Sequence, residues 1–113
     1  TRHSTLFPYT TLFRSDPLLE TIRGAPLLLA YFSTPQCNVC RVLRPKVEEL
    51  LREYPAVEFL YVDSSLHPEV AGQHLVFAAP TIILFMDGRE MRCFSRNLAM
   101  EELDRALEMM TGE

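Results

Sequence analysis

The sequence lacks any uninterrupted apolar run long enough to span a bilayer, which takes about 20 residues in a helix. Its apolar run at residues 27–32 is bounded by Pro26 on one side and by the polar stretch 33–36 on the other. It also lacks a cluster of basic residues, because its arginines are scattered through a chain with a net charge of −4. We therefore expect a protein that neither spans a membrane nor binds nucleic acid.

Cysteine is scarce as well, with three in 113 residues. Two are spaced as Cys37-x-x-Cys40 and one stands alone at Cys93, so the odd number does not form the disulfide framework of a small secreted domain. The pattern favours a redox pair in a reducing compartment, and we interpret Cys93 as a small buried hydrophobic residue. The length and the 48% hydrophobic content fit one compact domain.

The first fifteen residues are foreign in character. Residues 5–15, TLFPYTTLFRS, match the translation of a widely used short-read sequencing adapter at every position. The alternative is an edge strand over residues 6–13. We expect residues 1–15 to be an artefactual leader and the domain to cover residues 16–113, so that the natural N-terminus and any signal peptide would be missing.

From residue 16 onward the spacing of apolar residues alternates between helical and strand-like patterns. The predicted strands are residues 27–32, 57–62, 81–86 and 89–94, the last two joined by an Asp87-Gly88 turn. The predicted helices are residues 17–23, 38–54 with a kink at Pro45, 69–74, and a last one around residues 103–110. The order α-β-α-β-α-β-β-α predicts an α/β domain with helices on the faces of one sheet.

The spacing of Cys37 and Cys40 places two thiols within disulfide reach at the start of the second predicted helix. The helix dipole and its unpaired N–H groups favour a thiolate at Cys37, so we expect its pKa to lie below the usual value of about 8.5. Such a thiolate attacks a disulfide, and Cys40 would then resolve the mixed disulfide. Cys37 is thus the candidate nucleophile and Cys40 the candidate resolving residue.

Half of a zinc site is the main alternative for this cysteine pair. Zinc in structural sites takes four ligands, whereas the sequence has neither a second cysteine pair nor two closely spaced histidines. We favour redox chemistry with no metal and with no cofactor beyond the Cys37–Cys40 disulfide.

Two segments of the chain resemble the thioredoxin family. AYFSTPQCNVCRVLRP, residues 30–45, is similar to the family's strand, active-site turn and kinked helix, and FAAPTIILFMDG, residues 77–88, to its cis-proline loop, strand and hairpin turn. The resemblance covers nearly all of residues 27–110. It implies a thioredoxin-like fold, with a mixed sheet of about four strands flanked by helices and the family's first strand missing. Residues 1–15 would then be disordered or fill the vacant sheet edge loosely.

The resemblance also implies a substrate groove. Pro80 would be the cis-proline facing the cysteine pair, and the backbone of Ala79 would pair with an extended substrate segment. Arg96 falls where the family commonly has a glycine, so its cation would steer acidic partners or stabilise a thiolate; a solvated surface arginine is the alternative.

Several positions depart from the family's reductases. Gln36 replaces the usual tryptophan, and Asn38-Val39 replace Gly-Pro between the cysteines, which leaves the reduction potential open. Tyr31 and Phe59 stand where those reductases have a buried aspartate and a lysine, so the group that deprotonates the second cysteine is not identified.

The function implied is that of a thiol–disulfide oxidoreductase that reduces protein disulfides and is itself restored by an upstream reductase. We expect a cytoplasmic monomer. The alternative is a thioredoxin-like module that binds a peptide or partner with little redox turnover. An oxidising or isomerising enzyme would differ from the first hypothesis only in its reduction potential.

Overall fold

The computed structural model describes residues 17–76, 78–95 and 98–112. The leader predicted at residues 1–15, and with it the expected filling of the sheet edge, lies outside these ranges. The elements, in chain order, are α1 (Pro17–Gly24), β1 (Leu27–Ser33), α2 (Asn38–Leu51), β2 (Glu58–Asp63), α3 (Pro68–Gln73), β3 (Thr81–Met86), β4 (Arg89–Ser95) and α4 (Met100–Thr111).

The four strands form one mixed sheet in the order β2-β1-β3-β4. β1 runs parallel to β2 and antiparallel to β3, and β4 pairs antiparallel with β3 at the edge. The parallel pair requires a crossover, which α2 supplies. This arrangement confirms the predicted four-stranded sheet flanked by helices.

The core consists of two clusters of buried side chains, between which the residues of β1 alternate. Leu29 and Tyr31 belong to the cluster that includes buried residues of α2 and α4. Leu28 and Phe32 belong to the cluster that includes buried residues of α1 and α3. Because successive side chains of a strand point to opposite faces, the helices cover both faces of the sheet, which explains the continuous apolar run in β1.

Helix α2 is shorter than its apolar spacing predicts. The prediction extends to residue 54, but the helix ends at Leu51. The N–H groups of Glu53 and Tyr54 donate instead to carbonyl oxygens three residues earlier, at 3.0 and 2.9 Å. Tyr54 is still buried in the core. The apolar pattern of the helix therefore continues to Tyr54, although the backbone there forms turns with tighter, three-residue hydrogen bonds.

The hairpin between β3 and β4 turns at Asp87 and Gly88, as predicted. Both residues have positive φ, 53° and 82°, which is the backbone of a two-residue type I′ turn. A Cβ atom at Gly88 would also lie 3.3 Å from the backbone of Arg23, so a side chain there would make a tight contact in addition to an unfavourable backbone conformation.

The prediction of a buried Cys93 is wrong, since this residue is exposed. It lies on the edge strand β4, where Phe94 is the buried residue of the strand. Partial burial and then the charge of Glu90 raise the pKa of the Cys93 thiol. The thiol is accessible but less readily ionised than a free cysteine.

Across the described ranges, none of the helices combines the length and the apolar content needed to cross a bilayer. The longest, α2, has 14 residues.

Candidate active site

The turn between β1 and α2 positions the cysteine pair. Cys37 is the N-cap residue of α2, and its own N–H donates to the carbonyl of Thr34 at 3.1 Å. Its Sγ accepts the N–H of Cys40 at 3.2 Å. A sulfur here does what a serine or aspartate oxygen does at other helix starts, because it accepts an N–H that has no partner within the helix.

Cys37 and Cys40 form a disulfide, with their Cα atoms 5.3 Å apart. The two residues differ in accessibility: Cys37 is half-buried, whereas Cys40 is only 4% exposed and belongs to the core. A large partner can therefore approach Cys37 but not Cys40.

A cavity of about 610 Å³ opens beside Cys37. It is lined by Thr34, Gln36, Cys37, Asn38, Val39, Ser64, Val76, Ala78 and Ala79. The Ala79–Pro80 peptide bond is cis and directly precedes β3. The structure thus brings two of the predicted site residues, Cys37 and Ala79, to the wall of one cavity. Arg96 lies outside the described residues.

Tyr31 contacts the backbone of the cysteine pair. It is fully buried on β1, and its hydroxyl donates to the carbonyl of Cys40 at 3.0 Å. Burial, and next the neighbouring Tyr61, raise the pKa of Tyr31 to about 12. The hydroxyl therefore stays protonated near neutral pH, and Tyr31 does not serve as the base for Cys40.

The register of the sheet places two aromatic residues of β2 beside Tyr31. Tyr61, not Phe59, lies directly opposite Tyr31 on the neighbouring strand. Phe59 lies two residues away on the same strand, so both rings come within 6.1 Å of the Tyr31 ring. The rings of Tyr31, Phe59 and Tyr61 therefore form an aromatic cluster on the face of the sheet that packs against α2.

A second cavity, of about 150 Å³, lies beside the same cysteines. It is lined by Ser33, Thr34, Pro35, Cys37, Cys40, Arg41, Arg44 and Tyr61. Sequence reasoning missed Arg44 and Tyr61 as residues of this site. The available signal was the spacing of Cys40 and Arg44, since residues four apart share one face of a helix.

We expect the substitution Tyr31→Phe to destabilise the fold by about 0.5–1.5 kcal/mol, because it removes a buried hydrogen bond and keeps the ring. Urea unfolding of the oxidised protein measures this difference. Tyr61→Phe, at the neighbouring position, is the control and should cost less. Equal costs for the two variants would contradict the assigned role of the Tyr31–Cys40 hydrogen bond.

Tyr31 also predicts a loss of stability in alkali. Its pKa is raised on folding, so its contribution is fully present below pH 10 and is lost as the pH rises toward 12. Tyr54, whose pKa is raised by its hydrogen bond to Asp104, acts in the same direction. The measurement is therefore the difference in the free energy of unfolding between wild type and Tyr31→Phe. This difference should shrink between pH 10 and 12. A constant difference would contradict it.

Comparison with known proteins decides the family. The thioredoxin family model matches residues 13–109. This chain belongs to the thioredoxin family. The thioredoxin-like protein YdfQ of Bacillus subtilis is 32% identical over 78 residues, which cover 69% of this chain and 70% of that protein. Thioredoxin of Chlamydia trachomatis is 34% identical over 85 residues, which cover 75% of this chain and 80% of that protein.

Solved thioredoxin structures agree. The X-ray structure of Fasciola hepatica thioredoxin matches with a TM-score of 0.72 and 31% identity, covering 85% of this chain and 90% of the other. Together with the Cys37–Cys40 pair at disulfide distance, the thioredoxin relationship identifies the protein as a thiol–disulfide oxidoreductase, which confirms the predicted class of chemistry.

Across the described part of this thioredoxin-family chain, the histidine, cysteine, aspartate and glutamate side chains form no group of three or more that could hold a metal ion.

Proposed function

We propose that this thioredoxin-family protein reduces the disulfides of protein substrates, with Cys37 as the attacking thiolate and Cys40 as the resolving thiol. The difference in exposure between the two cysteines supports this assignment. Cys37 lines the 610 Å³ cavity, whereas Cys40 is buried below it. A substrate sulfur can therefore meet Cys37 first.

In the first step the Cys37 thiolate attacks one sulfur of the substrate disulfide. A bond forms between Cys37 and that sulfur, the substrate S–S bond breaks, and its electron pair leaves on the second substrate sulfur as a thiolate. The N-terminal end of α2 favours the attacking thiolate, because the N–H of Cys40 points at the Cys37 sulfur and the helix dipole is positive there.

In the second step Cys40, as a thiolate, attacks the Cys37 sulfur of the mixed disulfide. The Cys37–Cys40 bond forms, the bond between Cys37 and the substrate sulfur breaks, and its electron pair leaves on that sulfur, so that the substrate departs with both sulfurs reduced. The Cα–Cα distance of 5.3 Å lies within the range found for disulfides. The proton of Cys40 must leave beforehand, and because Tyr31 is a protonated donor, solvent is its acceptor.

The large cavity is the proposed binding groove for an extended substrate segment. The backbone of Ala79 would pair with such a segment beside the cis Pro80, while Val39 and Val76 would contact its side chains. Arg96, outside the described residues, remains our proposal for a cation at the rim of this groove.

The remaining parts of the proposal follow from the chemistry of the pair. The oxidised protein needs two electrons from an upstream thiol reductase, and the cycle uses no cofactor beyond its own disulfide. We place a monomer of this kind in the cytoplasm, where structural disulfides are rare and reduced thiols persist.

The reduction potential of the Cys37–Cys40 pair tests the direction of the reaction. The oxidised protein is equilibrated against glutathione or dithiothreitol buffers, and the free thiols are labelled. A potential near the −270 mV of thioredoxins supports a reductase, whereas one near −120 mV indicates an enzyme that forms disulfides. A pair that does not cycle at all would contradict the proposal and favour a binding module.

A further inference from the structure

A fixed positive charge lies close to the buried cysteine. Arg44 is one helical turn after Cys40 on α2, and both residues line the 150 Å³ cavity that also includes Cys37. Arg44 therefore contributes to the wall of one small cavity together with both cysteines, while its side chain remains 42% exposed to solvent. The two chemical steps described above assign no role to this arginine.

The position of Arg44 is held by contacts on two sides. Its guanidinium carbon lies 4.1 Å from the centre of the Tyr61 ring and 5.6 Å from that of Phe59, both on β2. Its Nε lies 3.4 Å from a carboxylate oxygen of Glu48, one turn further along α2. Stacking on an aromatic face restrains a planar guanidinium, which would otherwise sample many rotamers in water.

We propose that Arg44 is a positioning residue that stabilises the thiolate of Cys40 during the resolving step. In that step the proton of Cys40 passes to solvent, and negative charge appears on a sulfur that the protein otherwise buries. Burial alone opposes this charge, because a low-dielectric surrounding disfavours the ionised form. A cation in the same cavity offsets that cost. The inference depends on the proposed roles of Cys37 and Cys40.

The cavity also provides the path for the proton. A cavity must have a volume of at least about 10–15 Å³ to hold a water molecule. A volume of about 150 Å³ beside Cys37 and Cys40 therefore admits several. Water in this cavity would take the proton from Cys40 and pass it to bulk solvent. No side-chain base is required.

The other charges around Cys40 determine in which direction each substitution should move the pH midpoint of its reaction. Among the described residues, the titratable or charged groups near it are Tyr31 and Tyr61 from the sheet, and Cys37, Arg41, Arg44 and Glu48 from α2 and its N-cap. β3, which lies beside β1, has the sequence TIILFM and no titratable side chain. The acidic residues Asp104 and Glu108 of α4 act on Tyr54. Glu48 is therefore the anion that opposes Arg44.

The experiment follows the two steps separately. The reduced full-length protein is mixed with an uncharged dipyridyl disulfide, and the release of pyridine thione is recorded by stopped-flow absorbance across pH. The first release reports attack by Cys37 and the second reports resolution by Cys40. A Cys93→Ser background removes the third thiol. An uncharged reagent is chosen because Arg44 would attract an anionic one.

We expect Arg44→Gln to slow the second release about threefold to tenfold at neutral pH and to move its pH midpoint upward by about half a unit to one unit. The first release should change less, because Cys37 is only half-buried and solvent screens a charge there more than at buried Cys40. Glu48→Gln should move the midpoint of the second release downward. Arg44→Lys keeps the charge and should restore part of the effect.

Lys46→Gln is the matched control, since it removes one positive charge from an exposed position of the same helix that does not line the cavity. An unchanged midpoint in Arg44→Gln, or an equal shift in Lys46→Gln, would overturn the proposal. If Arg44→Gln does not fold, the direction of the Glu48→Gln shift decides. Failure of the wild type to reduce a protein disulfide, with the midpoints shifted as expected, would contradict the proposed function alone.

Discussion

The substitution Cys37→Ser is expected to lower the rate of disulfide reduction by at least about a thousandfold, because a serine hydroxyl does not ionise near neutral pH and forms no disulfide. The rate is measured with a protein disulfide such as that of insulin, with dithiothreitol as the electron source. The structure supports a total loss, since Cys40 is only 4% exposed and cannot replace Cys37 in the first step. Substantial residual activity would contradict the assigned order of attack.

The companion substitution Cys40→Ser separates the two steps. Cys37 should still attack, but its mixed disulfide would persist, and the protein would accumulate covalently bound to its substrate. Non-reducing gel electrophoresis detects this product, which Cys37→Ser should not form. Cys93→Ser is the matched control and should retain full activity, because Cys93 is exposed on the edge strand β4 away from the cysteine pair. If Cys93→Ser is inactive, the pair alone does not account for the reaction.

The parts of the site that are local in sequence could be predicted. Cys37 and Cys40 are placed by their spacing alone, since a helix start brings residues three apart within disulfide reach. The strands were predicted within one residue at each end, because the alternating or continuous apolar pattern that indicates a buried strand lies within the strand itself. Apart from the hairpin of β3 and β4, the strand order was not predicted, because spacing along the chain does not determine which strands are neighbours.

The parts that depend on long-range packing could not be predicted. The hydrogen bond from Tyr31 to Cys40 needs the crossing of β1 and α2, and the stack of Arg44 on Tyr61 needs the register of β2. The burial of Cys93 was predicted wrongly because cysteine is among the residues most often buried. Its sequence neighbours do not show that β4 lies at an edge of the sheet. In each case the deciding contact joins residues on different elements.

Packing of α4 on the sheet predicts the largest loss of stability. Leu107 is fully buried in the cluster that also includes Tyr31 and Cys40. The substitution Leu107→Ala removes buried methyl groups and leaves a cavity, so we expect the free energy of unfolding to fall by about 2–5 kcal/mol. Urea unfolding of the oxidised protein, analysed as a two-state transition, measures this value.

Met109→Ala is the control on the same helix, because Met109 is 76% exposed and its substitution should change the free energy by less than about 0.5 kcal/mol. Below its unfolding transition Leu107→Ala should keep the reduction potential of the cysteine pair, since the helix start and the Cys37–Cys40 spacing belong to α2. A cost below about 1 kcal/mol would mean that α4 does not pack on the sheet as the structure shows. A changed potential with intact folding would instead mean that the cysteine pair depends on α4 through the shared core.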